Sequence, residues 1–187
     1  MARVPPVDPP YSDEVLASFR KLMPPGMEPL RLFRTLAHNP RVLRRIQRGG
    51  LLDPGSISTR LRELVILRTC ARCRADYEWG VHAALFAGPA GFSERELAAL
   101  AQAESPVDTF TADEDRLALR LADALHERAR IDDALWRALT GAFDSAQLLE
   151  LVTLAGLYHA VSFIVNVTGV EDEPWSLSPA RAVAGGG

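Results

Sequence analysis

A chain of 187 residues, 48% hydrophobic and 24% charged, is long enough to bury the core of one compact domain. A formal net charge of −3 argues against a general nucleic-acid binder, which would carry a net basic footprint. The charge is uneven: residues 1–50 hold 9 Lys/Arg against 4 Asp/Glu, and the rest of the chain stands at −8. The basic N-terminal helices are therefore expected to lie on the acidic body or on a partner subunit, rather than on nucleic acid or a membrane.

Two cysteines three apart, Cys70 and Cys73, cannot staple a secreted scaffold, and the opening MARVPPVDPP lacks the apolar core of a signal peptide. A cytoplasmic, reducing setting follows. The most apolar segment, Leu148 to Val170, is long enough to span a bilayer, yet it carries Glu150, His159 and Asn166 and reads as a buried helix.

In chain order, residues 1–10 form a proline-rich flexible arm, because prolines remove backbone donors and prevent a helix. Residues 11–170 read as a single all-α domain, and residues 171–187 as a C-terminal tail ordered by Trp175 at most. Ser12 with Asp13 and Glu14 predicts a helix start, and Pro24-Pro25-Gly26 its stop. Short helices are expected from Pro29 to Asn39 and from Pro40 to Gly49-Gly50. Arg31, Arg34, Arg41, Arg44, Arg45 and Arg48 decorate them, either as a solvated face or as the rim of an anionic pocket or subunit contact.

Ser58 or Thr59 caps a helix that Leu61, Leu64, Val65, Ile66 and Leu67 make apolar around most of its circumference, which requires burial on nearly all sides. The next helix runs from about Asp76 to Phe86, with a break at Gly88-Pro89-Ala90-Gly91. Ser93-x-x-Glu96 and Thr111-x-x-Glu114 both fit the capping box, so helices begin near Glu94 and Ala112. Ile131 to Phe143 and a long segment from Asp144 or Ser145 to about Val170 complete the set. No β-alternating run and no fixed-period repeat is found.

The chemistry-bearing residues concentrate between Thr59 and His82. Glu63 shares a helix face with Leu67 and Cys70, and a carboxylate in apolar surroundings is either salt-bridged to an arginine or functional. Cys70-x-x-Cys73 can support a reversible disulfide, although both thiols fall toward a helix C-terminus, where the dipole disfavours a thiolate; packing as small apolar groups is the alternative. Only His82 is close enough in sequence to add a third ligand to those cysteines, so no metal is expected. Glu78 and His82, four apart, are neighbours on one helix face and suit general acid/base work, or form an ordinary surface pair. Tyr77, Trp79, Tyr158 and His159 are candidate pocket residues, with packing the competing role.

The order RELVILR, a cysteine-bearing helix end, DYEWxxH, then AGFSERELAAL resembles the carboxymuconolactone decarboxylase family, which includes the alkylhydroperoxidase D-like proteins. The match is specific over about Leu61 to Leu100, and LLELVTLAGLYHAVSFIVNVTGV resembles the closing helix of the decarboxylase-like branch. The resemblance implies an all-α bundle of about seven or eight helices and a homo-oligomer, trimer or hexamer. In the peroxidase branch a glutamate lies twelve residues before the first reactive cysteine and a histidine four after the second. Glu63 and His82 match those two, which puts the cysteine positions on Ala75 and Glu78; Cys70 and Cys73 lie five residues upstream and do not inherit the peroxidatic roles. The leading expectation is a cofactor-independent acid/base enzyme, of decarboxylase, lyase or isomerase type, on a small organic acid or lactone. His82 would act as acid/base, Glu63 or Glu78 as its proton partner, and a basic group would hold the substrate carboxylate. The alternatives are a thiol-dependent peroxidase using Cys70 and Cys73, and a non-catalytic oligomeric binding protein.

Overall fold

A computed structural model describes residues 2–102 and 104–185; residue 1 of the expected arm and residues 186–187 of the expected tail lie outside the described residues. Ten α-helices and one short 3-10 turn, with no strand among the described residues, agree with the all-α reading and slightly exceed its helix count. They are α1 (Asp13–Leu22), α2 (Arg31–Leu36), α3 (Pro40–Gly49), α4 (Thr59–Arg72), α5 (Asp76–Ala90), α6 (Glu94–Leu100), α7 (Asp113–Arg128), α8 (Asp133–Ala142), α9 (Ser145–Thr168) and α10 (Pro179–Gly185).

Most helix starts obey their local chemistry. The Ser12 and Ser58 hydroxyls accept from the N–H groups of Val15 and Leu61, and Asn39 caps α3 with Pro40 in the first turn. Ser93 and Glu96 form the expected capping box, and Asp144 with Gln147 forms another at α9. Thr111 does not cap α7: Ala112 holds the N-cap position without a side-chain bond, and Asp113, Glu114 and Asp115 face the positive helix end instead. Helix α5 runs past the expected break, since Pro89 falls in its last turn, where few further backbone bonds are interrupted. Gly91, at φ 71°, ends it.

Helix α4 is the axis of the bundle. Every residue from Leu61 to Cys70 is buried, and α5, α7 and α9 pack around it. The turn from α4 to α5 is tight, with Arg74 in the left-handed region at φ 53° and the Ala75 N–H reaching back to Cys70 O. Arginines on α4 pair with acids on α7 at a constant offset of 55 residues: Arg60 with Asp115, Arg68 with Asp123, Arg72 with Glu127. A constant offset means that the two helices run in the same direction in register. Arg68 has no solvent exposure, and its guanidinium also donates to Gln102 O at 2.8 Å.

Helix α9, 24 residues and so about 36 Å long, is apolar and long enough to cross a membrane. One side, from Leu148 through Leu151, Leu154, Tyr158 and Val161 to Val165, is packed in the bundle, while Leu149, Val152, Phe163 and Val167 are exposed.

Both ends of the chain are better tied than their composition suggests. The arm lies along α2 and the end of α9: Arg3 and Val4 N–H groups donate to Thr168 O, and Arg34 Nε donates to Val7 O at 3.0 Å. The tail is not anchored by Trp175, which is 45% exposed. Glu173 anchors it instead, accepting from the Arg31 N–H and the Tyr77 hydroxyl at 2.6 and 2.8 Å, and Leu177 N–H donates to Gly80 O. Three of the six arginines on α2 and α3 are paired within the chain: Arg31 with Glu173 of the tail, Arg34 with Asp8, and Arg44 with Glu14.

Candidate active site

Four polar side chains converge where α4, α5 and α9 meet. Glu63, without solvent exposure, projects from α4, and its two oxygens are used differently. Oε1 accepts from Arg62 Nε at 2.8 Å, and Oε2 lies 2.8 Å from His82 Nδ1 on α5. Arg62 is held in turn by Leu52 O at 2.8 Å, with its guanidinium over the Phe86 ring at 5.5 Å. The charge of Glu63 is thus countered in the core rather than left alone, the condition under which a buried carboxylate is tolerated.

A neutral His82 that donates from Nδ1 to Glu63 keeps its lone pair on Nε2. That nitrogen lies 3.0 Å from the Tyr158 hydroxyl, which donates to it from α9, and 3.7 Å from Glu78 Oε2 on its own helix. Phe86 and Tyr158 bracket the imidazole, with ring centroids 5.3 and 5.1 Å away. Burial pushes the Glu78 carboxyl above its ordinary range, with His82 as a smaller opposing influence. Burial likewise pushes the Tyr158 phenol well up, the Glu78 and Glu63 charges adding to it. Burial thus works against ionisation of both the Tyr158 hydroxyl and the Glu78 carboxyl.

Glu78, His82 and Tyr158 form the floor of a cavity of about 420 Å³. Its walls are apolar and come mainly from the N-terminal helices and their loops: Met23, Met27, Leu32, Phe33, Ile46 and Leu52. The sequence reading missed all of these wall residues. Their signal was only the apolar content of short, basic helices. Met27, Leu52 and Leu85, each more than a third exposed, stand among the lining residues. No lysine or arginine lines the cavity, so the expected basic group for a substrate carboxylate is not present among the described lining residues. A smaller cleft of about 270 Å³ beside Pro54 contains Glu150, whose carboxylate is occupied by the Ser56 N–H at 2.7 Å.

Of the candidate pocket residues, Tyr158 lines this cavity, and Tyr77, Trp79 and His159 do not. Tyr77 is buried and bridges α2 to the tail, its oxygen accepting from Leu32 N–H and its hydroxyl donating to Glu173. Trp79 is fully buried core. His159 turns toward α7, with its Nε2 3.1 Å from His126 Nδ1. Neither cysteine lines the cavity. Cys70 is fully buried, and burial followed by the Glu78 charge pushes its thiol well up. Cys73 is the C-cap residue of α4, half-buried, its thiol raised mainly by burial and facing His126 rather than His82.

Residues 40–124 match the profile of the Carboxymuconolactone decarboxylase family. That segment runs from α3 into α7, and the match supports a likeness to the carboxymuconolactone decarboxylase and alkylhydroperoxidase D-like proteins. Solved structures repeat its architecture. The debrominase Bmp8, as a cysteine-to-alanine variant in complex with 2,3,4-tribromopyrrole, is similar with a TM-score of 0.77 at 15% identity, over 98% of this chain and 97% of that one. A peroxidase-related protein from Ralstonia eutropha JMP134, described as an alkylhydroperoxidase AhpD core, aligns at TM-score 0.72 and 16% identity, covering 91% and 93%. Another from Silicibacter sp. TM1040 gives 0.72 and 16%, covering 90% of each chain. No curated protein matches the sequence. These identities speak to the fold alone. Within the superfamily pattern, Ala75 is buried at the start of α5 and Glu78 points into the cavity, so a carboxyl stands where the peroxidase branch is expected to carry its second thiol.

Proposed function

We propose that this protein is a cofactor-independent proton-transfer enzyme acting on a small, largely apolar carbonyl compound or lactone, by a lyase or isomerase type of step. The observation that carries this reading is the Glu63–His82–Tyr158 chain ending at an apolar cavity beside Glu78, whose carboxyl burial raises above its ordinary range. Glu63 orients the imidazole and is a positioning residue. His82 Nε2 takes a proton from carbon or returns one to it. The Tyr158 hydroxyl, leaving His82 Nε2 as that nitrogen takes up the proton, donates to the oxygen on which negative charge develops, and Glu78 does the same in its protonated form. The apolar walls and the absence of a lining cation favour a neutral lactone or ketone over a carboxylate-bearing acid, because a buried carboxylate without a counter-charge is costly.

A thiol peroxidase cycle finds little support here, because both thiols are raised in pKa and both lie outside the cavity. Bmp8 holds a small halogenated ring on the same architecture, which favours a ring of comparable size as the occupant of this cavity. A trimer or hexamer in a reducing cytoplasm completes the reading, and light scattering after size-exclusion chromatography tests the oligomer. The activity is tested by NMR in D2O with a panel of unsaturated lactones and cyclic ketones. Enzyme-dependent deuterium incorporation next to the carbonyl, lost in His82→Ala, supports it; incorporation no faster than with His82→Ala across the panel overturns it.

A further inference from the structure

The C-terminal ends of α4 and α7 meet the middle of α9 at three potential ligand atoms. Cys73 Sγ lies 3.8 Å from His126 Nδ1, which lies 3.1 Å from His159 Nε2, and all three atoms fall within 4.8 Å of one another. The residues are half-buried, so a fourth direction is open to water. His159 has its ring fixed from behind: its Nδ1 donates to Ala155 O at 2.7 Å, which leaves the lone pair on Nε2, directed at His126. His126 Nδ1 faces both the thiol and the second ring and can make one of those two bonds, while the Ser162 hydroxyl also meets the thiol.

We infer that Cys73, His126 and His159 form a site for a borderline-soft divalent cation of the zinc type, with water in the fourth position. Tetrahedral zinc, with bonds of about 2.0–2.1 Å to nitrogen and about 2.3 Å to sulfur, separates its ligand atoms by roughly 3.3–3.6 Å. The observed 3.1 and 3.8 Å bracket that range, and the third pair, within 4.8 Å, closes on the ion by rotation of the side chains. One thiolate and two imidazoles also suit zinc, cobalt or nickel better than calcium or magnesium. Arg72, whose charge acts on both Cys73 and His126, is engaged by Glu127 at 2.8 Å and Asp123 at 3.5 Å, and those carboxylates offset its charge beside the site. Binding displaces the Cys73 thiol proton to solvent and leaves the sulfur as thiolate on the metal, and the His126 ring proton moves from Nδ1 to Nε2 so that Nδ1 can ligate; affinity therefore falls as pH is lowered. The ion would clamp three helices at the end of the bundle where the α4–α5 turn passes through Arg74.

The test is a titration of the tag-free, EDTA-treated full chain with Co2+, followed by displacement with Zn2+. One ion per chain is expected, with intense tetrahedral d–d bands and a near-ultraviolet thiolate-to-cobalt charge-transfer band. That band should vanish in Cys73→Ser and persist in Cys70→Ala, and His126→Ala and His159→Ala should each weaken binding by at least about tenfold. Absence of stoichiometric binding to the wild-type chain overturns the inference, as does a spectrum lacking the thiolate band or unchanged in Cys73→Ser.

Discussion

His82 Nδ1 lies 2.8 Å from Glu63 Oε2, joining two helices across 19 residues of sequence, and Glu63 in turn holds Arg62. Replacing Glu63 with Gln keeps the shape and removes the charge. The imidazole then loses its preference for a proton on Nδ1, and Arg62, only 9% exposed, is left without its counter-ion. The expected outcome is a fall in turnover of roughly 10²-fold or more together with a loss of about 3 kcal/mol of stability. Nitrogen NMR of His82 separates the two effects: the wild-type ring should report Nδ1–H and the variant a mixture of tautomers.

Glu78→Gln should slow turnover and yet stabilise the fold. Burial raises the Glu78 carboxyl above its ordinary value of 4.5, so the folded state holds its proton more tightly than the unfolded chain. Stability from this group is therefore fully present below about pH 4.5 and is lost as pH rises through the raised folded value. Gln carries no such dependence. Thermal melts across pH should show the variant gaining on wild type from pH 4.5 upward; a variant less stable than wild type at pH 8 would contradict this.

The two cysteines should differ in reactivity. In metal-free protein, iodoacetamide followed by peptide mass spectrometry should label the half-buried Cys73 slowly, and Cys70, with no exposure, only after denaturation. Rapid native labelling of Cys70 would show that the α4 core opens more readily than its packing implies.

Gly80 has no room for a side chain. A Cβ there would meet Leu177 O at 2.3 Å, a backbone atom that cannot swing aside. Gly80→Ala should release the tail from α5, read as faster proteolysis after Glu173 and a lower melting temperature while the helical circular-dichroism signal is largely kept.

Arg74 occupies the left-handed region at φ 53° on the surface of the α4–α5 turn. Arg74→Gly removes that strain and costs some unfolded-state entropy, for a net gain of about 0.5 kcal/mol. A small rise in melting temperature checks it.

The sequence by itself determined the elements with short-range causes. Ser12, Ser58 and Ser93–Glu96 cap helices three residues away, and the all-round apolar run of Leu61 to Leu67 dictates a helix buried on every side. It also put Glu63, Glu78 and His82 on the two central helices, because spacings of three and four fix which residues share a face. What only the tertiary structure decided depends on how faces meet. Tyr158 reaches His82 from 76 residues away, the N-terminal helices supply the cavity walls, and Tyr77 serves the tail instead of the pocket. His126 was not singled out, since its partners Cys73 and His159 lie 53 and 33 residues away and no local pattern marks them. Helix periodicity reports which face is apolar, whereas the partner across that face is set by packing angles and side-chain volumes summed over the whole bundle.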